Sequence, residues 1–81
     1  MGNNSTRRQA TWRREEIQLL ELVSIGFRNK EIAGQLRVSE SDVKKRLSRL
    51  MRVLAARSRT GLVRAAIAKG VIVLPSGGRD I

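Results

Sequence analysis

Between residues 11 and 74, apolar side chains recur every three or four positions with polar residues filling the gaps. That is the period of α-helices with one face turned inward. Ile17, Leu19, Leu20, Leu22 and Val23 predict a first helix over residues 12–25. Thr11 is placed to cap it, Glu15 and Glu16 lie beside the positive end of its dipole, and Gly26 closes it in the left-handed conformation. Ile32, Ala33 and Leu36 predict a short second helix over 29–36. Gly34 inside it costs about 1 kcal/mol relative to alanine, so this helix depends on packing.

The third helix is predicted to start at Glu40, because Ser39 followed by Asp42 has the spacing of a capping box. Val43, Leu47, Leu50 and Leu54 then form one narrow apolar stripe along a rod over residues 40–56. At about 100° per residue, Ser41, Lys45, Ser48 and Arg52 fall on the opposite side, flanked by Lys44 and Arg49. A fourth helix over 59–69 begins behind Ser58, turns Leu62, Val63, Ala66 and Ile67 inward and stops at Gly70. The apolar run Val71-Ile72-Val73-Leu74 trails it. Alternating strand patterns are missing, so the predicted fold class is all-α with four helices.

The ends of the chain read differently. Residues 1–10 are polar and basic without apolar periodicity, which predicts a flexible, disordered N-terminal arm. Residues 75–81 begin at Pro75, contain Gly77-Gly78 and read as a C-terminal tail. One domain, residues 11–74, lies between them. A chain of 81 residues with 41% apolar content supports a small helical core with little surplus. Stabilisation by a second copy or by DNA would suit it.

Charge narrows the partners. Seventeen Lys and Arg against seven Asp and Glu give a net charge of +10, which points to a polyanion. With no cysteine and no histidine, disulfides, zinc fingers, thiol chemistry and imidazole catalysis are excluded. One Phe, one Trp and no Tyr leave few platforms for stacking single-stranded bases. The carboxylates show no paired acid–base spacing, no glycine-rich phosphate loop and no metal-ligand cluster, so neither an enzyme nor a cofactor is expected. No apolar run approaches the roughly 20 residues of a membrane span. The N-terminus lacks an apolar signal core, so a cytoplasmic location is expected and no membrane partner.

Residues 44–59 hold seven cations and no acid. The plain reading is a solvated helix face. Two features argue for more: the glutamates that would pair at i, i+4 are missing, and a short helix with the tight link Arg37-Val38-Ser39 precedes. This is the layout of a helix-turn-helix, whose second helix offers its free face to the DNA major groove. There, long donors reach guanine O6 and N7.

The string Gly26-Phe27-Arg28-Asn29-Lys30-Glu31-Ile32-Ala33, with Leu36, Val38-Ser39-Glu40, Val43-Lys44, Leu50, Leu54 and Ser58-Arg59, resembles the LuxR/GerE-type helix-turn-helix family over about residues 12–72. The most specific pieces are Asn29-Lys30-Glu31-Ile32-Ala33, then Ser39 and Val43-Lys44 at the family's spacing, and Ser58-Arg59-Thr60-Gly61-Leu62-Val63 in the fourth helix. The resemblance implies a motif over 29–48, with Lys44, Lys45 and Ser48 facing base edges; Arg49 and Arg52 extend that side. It places Asn29, Lys30, Ser39 and Ser41 beside the DNA backbone, where Arg28 also reaches a phosphate. The fourth helix is implied as a dimer contact, with Gly61, Ala65 and Ala68 as a small-residue strip, although alanine there also simply suits a helix. Trp12 occupies a core position of the family.

Three positions depart from the family pattern. Arg28 stands where a capping Ser or Thr is usual, Asp42 replaces a Thr, and Arg46 replaces a frequent His. Asp42 is expected either as a capping carboxylate or as an acceptor for a cytosine amino group. Arg7, Arg8, Arg13 and Arg14 either add phosphate or minor-groove contacts or serve solubility alone.

The expected function is a stand-alone, sequence-specific double-stranded DNA-binding transcription regulator acting as a homodimer. Many members carry a receiver or ligand-binding domain before this module, for which 81 residues leave no room. The alternative is an interaction module that heterodimerises with a larger relative or docks on RNA polymerase, using residues 71–74. A sigma-factor-like promoter reader is a third option, against which the fourth helix argues.

Overall fold

The computed structural model describes residues 12–73, which form four helices: α1 (Arg14–Ser24), α2 (Asn29–Leu36), α3 (Glu40–Val53) and α4 (Arg59–Ala68). No strand is present among the described residues. The expected basic arm over 1–10, the Thr11 cap and the tail over 75–81 lie outside them.

Each helix starts where a donor is satisfied locally. The first begins two residues later than the periodicity predicts. Arg13 precedes it in extended conformation, and its backbone N–H donates to Glu16 Oε1 at 3.0 Å. Arg28 stands likewise before α2, its N–H donating to Glu31 Oε1 at 2.7 Å. A guanidinium has no acceptor, so in both helices the glutamate supplies the only side-chain half of the capping arrangement. Before α3 the halves reverse: Ser39 Oγ accepts from the Asp42 N–H at 3.0 Å. Ser58 Oγ does the same for the Gly61 N–H ahead of α4.

All four helices end on a residue at positive φ: Gly26 (97°), Arg37 (60°), Ala55 (55°) and Gly70 (74°). The next N–H reaches back five residues in each case, from Phe27 to Leu22 O, Val38 to Ala33 O, Ala56 to Met51 O and Val71 to Ala66 O. These are Schellman endings, in which the left-handed residue lets the last turn close on itself. The one after α3 shortens that helix from the expected Ala56 to Val53, because Ala55 has already left the helical region.

The apolar stripes meet as the pattern predicts. Leu19, Leu20 and Val23 of α1, Ile32 and Ala33 of α2, Val43, Leu47 and Leu50 of α3, and Leu62 and Ala66 of α4 form one core with Leu54 and Ile72. No polar or charged residue is buried among the described residues. Trp12, Ile17, Leu22, Leu36, Val63 and Ile67 sit half-buried at its rim, which makes Trp12 a packing residue. The trailing segment divides: Ile72 turns into the core while Val73 is 80% exposed. Among the described residues no helix is long and apolar enough to cross a membrane.

Candidate nucleic-acid interface

Burial of Val43, Leu47 and Leu50 fixes how α3 is rolled about its axis. As a result Ser41, Lys44, Lys45, Ser48, Arg49 and Arg52 are all exposed, Arg49 at a cleft it shares with the start of α1. The helix has 14 residues. At about 1.5 Å per residue it is roughly 21 Å long and about 10–12 Å across, which fits a major groove about 12 Å wide.

Asp42, the one acid within this surface, is partnered inside its own helix. Its Oδ2 lies 3.1 Å from Arg46 Nη2, an i, i+4 pair in which both side chains are partly exposed. Its backbone, not its carboxylate, takes part in the cap. The pair contributes little stability, about 0.3–0.5 kcal/mol, but it neutralises the acid beside the exposed cations of α3. Lys44, Lys45, Arg49 and Arg52 have no ion-pair partner among the described residues.

The second cluster lies at the start of α2. Arg28 and Lys30 are exposed and Asn29 is half-buried. Together with Phe27, Glu40 and Arg59 they line an open groove where the beginnings of α2, α3 and α4 converge. Arg59 donates from Nη1 to Asn29 Oδ1 at 2.7 Å and from Nη2 to Phe27 O at 2.9 Å. Sequence reasoning missed this role. Nothing local signals a bridge between residues thirty positions apart. Ser39 and Ser41 are exposed at the start of α3, Ser39 with its oxygen already engaged as a cap. A third feature joins helices: Arg13 lines a cleft with Glu15, Glu16, Arg46 and Arg49, so this arginine borders α3.

The small residues Gly61, Ala65 and Ala68 lie on one side of α4, at i, i+4 and i+7, with Ala68 exposed and the other two half-buried. A Cβ on Gly61 would lie 3.3 Å from Ser58 Oγ, which directs that side toward the helix's own cap. Ala65 packs half-buried against the core, and Ala68 is exposed. Thr60 and Arg64 stand beside Ala68 on the outward surface.

Comparison with known proteins agrees with this geometry. The family described as "Bacterial regulatory proteins, luxR family" matches residues 13–66. The response regulator Rre1 of Synechocystis is 48% identical over 56 residues, which span 69% of this chain and 24% of the relative. The transcriptional regulatory protein YdfI of Bacillus subtilis is 38% identical over 60 residues, 74% of this chain and 28% of the relative. A further Bacillus subtilis protein, the uncharacterized transcriptional regulatory protein YxjL, is 37% identical over 59 residues, covering 73% and 27%. The chain thus spans about a quarter of the length of these curated relatives. No solved structure matches it at a significant level.

Proposed function

The chain belongs to the luxR family of bacterial regulatory proteins, and from that premise we propose that it reads specific double-stranded DNA sequences as a homodimer and needs no further domain to do so. The carrying observation is the outward side of α3, cationic and exposed from Ser41 to Arg52, with its only acid held by Arg46. Lys44, Lys45, Ser48, Arg49 and Arg52 face the base edges in this reading. Arg28, Asn29, Lys30, Ser39 and Ser41 hold the flanking phosphates, which fix register without reading sequence. Cation–phosphate contacts supply most of the affinity, so binding weakens steeply as salt rises. The protein acts as a non-enzymatic transcription regulator in the cytoplasm.

Independence from other domains is supported by the core, which draws on all four helices and buries no polar or charged residue among the described residues. Pairing through α4, at Ala68 with Gly61 and Ala65 behind it, would set two α3 helices into successive major grooves about 34–36 Å apart. Docking on a larger relative or on RNA polymerase has less support, because Ile72 is committed to the core and breaks the apolar strip it would need. Selection of random duplexes with the purified 81-residue chain tests the proposal. Enrichment of two-fold-related half-sites about one helical turn apart is expected. Enrichment of a lone half-site would remove the homodimer, and no enrichment would remove sequence reading.

A further inference from the structure

We propose that Arg59 is a positioning residue for DNA binding: it locks the Asn29 amide so that Nδ2 faces outward to donate to a backbone phosphate. The inference rests on the DNA-binding reading above and adds a residue and an atom to it. Arg59 is the first residue of α4, and its guanidinium spans from there to the α1–α2 corner. A guanidinium donates only. The atom of Asn29 facing it at 2.7 Å must therefore be the oxygen, which removes the usual ambiguity between amide oxygen and nitrogen. The two N–H groups of Asn29 are left pointing elsewhere, and no acceptor takes them among the described residues.

The surroundings select the ligand. Exposed Arg28 and Lys30 flank Asn29 on either side, and with Arg59 they outnumber Glu40, the one acid lining the same groove, so a donor there meets an anionic oxygen on the partner. The second bond, from Arg59 Nη2 to Phe27 O, holds the turn that carries all three residues. One N–H of each Arg59 arm is taken by a neutral acceptor. The role assigned to Arg59 is geometric and runs through Asn29.

Duplex affinity of the full chain, on the selected site and on random-sequence DNA over a range of salt, provides the test. Asn29→Asp keeps an oxygen for Arg59 and an acid in the first turn of α2, so it folds with undiminished thermal stability. It loses the donor, and binding to both duplexes falls by about tenfold or more. Asn29→Asp also sets a negative charge beside the phosphates, so its loss is read against Asn29→Ala, which removes the donor without adding charge; wild-type binding by either variant would overturn the proposal. Asn29→Ala and Arg59→Ala are expected to lose similar affinity, and the double variant no more than either alone; multiplied losses would contradict the coupling. Arg59→Ala is also expected to leave the salt slope unchanged, whereas a slope lower by about 1 would make Arg59 itself a phosphate contact. The wild type serves as the internal reference: if it binds no duplex, the DNA-binding reading fails with it, and if it binds while Asn29→Asp matches it, only the Arg59 inference fails.

Discussion

Ala55 holds the left-handed backbone, at φ 55°, that Gly26 and Gly70 adopt after α1 and α4. An L-residue with a Cβ is strained there by about 1–2 kcal/mol, part of which glycine returns as unfolded-chain entropy. Ala55→Gly should therefore raise stability by about 0.5–1 kcal/mol in denaturant unfolding; an unchanged or lower midpoint would show the turn to be relaxed as it stands. Gly26→Ala should do the reverse by about 1 kcal/mol, although a Cβ would meet nothing within 4 Å, because the cost is in the backbone. On the face proposed to read bases, Lys45 is exposed and lacks an ion-pair partner among the described residues. Lys45→Ala is expected to cost about 1–3 kcal/mol on the selected site and to relax base choice there, while Arg28→Ala weakens all sequences alike and lowers the salt slope by about 1. Gel shifts on the selected and random duplexes separate the two, and equal losses on both for Lys45→Ala would deny it a reading role.

The roll of each helix was legible in the sequence and the ends were less so. Val43, Leu47, Leu50 and Leu54 are all buried, and a stripe that narrow leaves one orientation for α3 and hence one outward face. Ser39 and Ser58 announce their helices because a side-chain oxygen beside free N–H groups has a recognisable residue type. Arg13, Arg37 and Ala55 carry no such signature: a cap made by Glu16 reaching back, or a left-handed turn on a non-glycine residue, is decided by packing. That is why α1 starts later and α3 stops earlier than the periodicity predicts. Arg59 was illegible as a bridge for a related reason, since its partners become neighbours only once four helices have packed. The caps offer an element-scale prediction. Ser39→Ala removes the acceptor of the Asp42 N–H and should destabilise the domain by about 1 kcal/mol, measured as a lower unfolding midpoint. No shift would mean that the start of α3 is held by its packing on α2 alone.

For the whole molecule the governing quantity is its net charge of +10, most of it carried by residues 12–73 around one small core. Binding to DNA relieves that repulsion, but self-association does not. Arg64 stands on the outward surface of α4, and a two-fold seam there brings it toward its counterpart. Dimerisation without DNA should therefore strengthen as salt screens the pair, while DNA binding weakens. Sedimentation at two salt concentrations checks the first trend, and Ala68→Arg should leave only monomers; an unchanged mass for that variant would move the seam away from α4. The central claim remains that the exposed side of α3 enters the major groove. Its most direct test replaces the guanines of the selected site by 7-deazaguanine, which deletes the N7 acceptor from that groove and leaves base pairing intact. The account predicts a loss of about 1–3 kcal/mol at a contacted guanine for the wild type and a smaller loss for Lys45→Ala. Undiminished binding to the substituted duplex would contradict it.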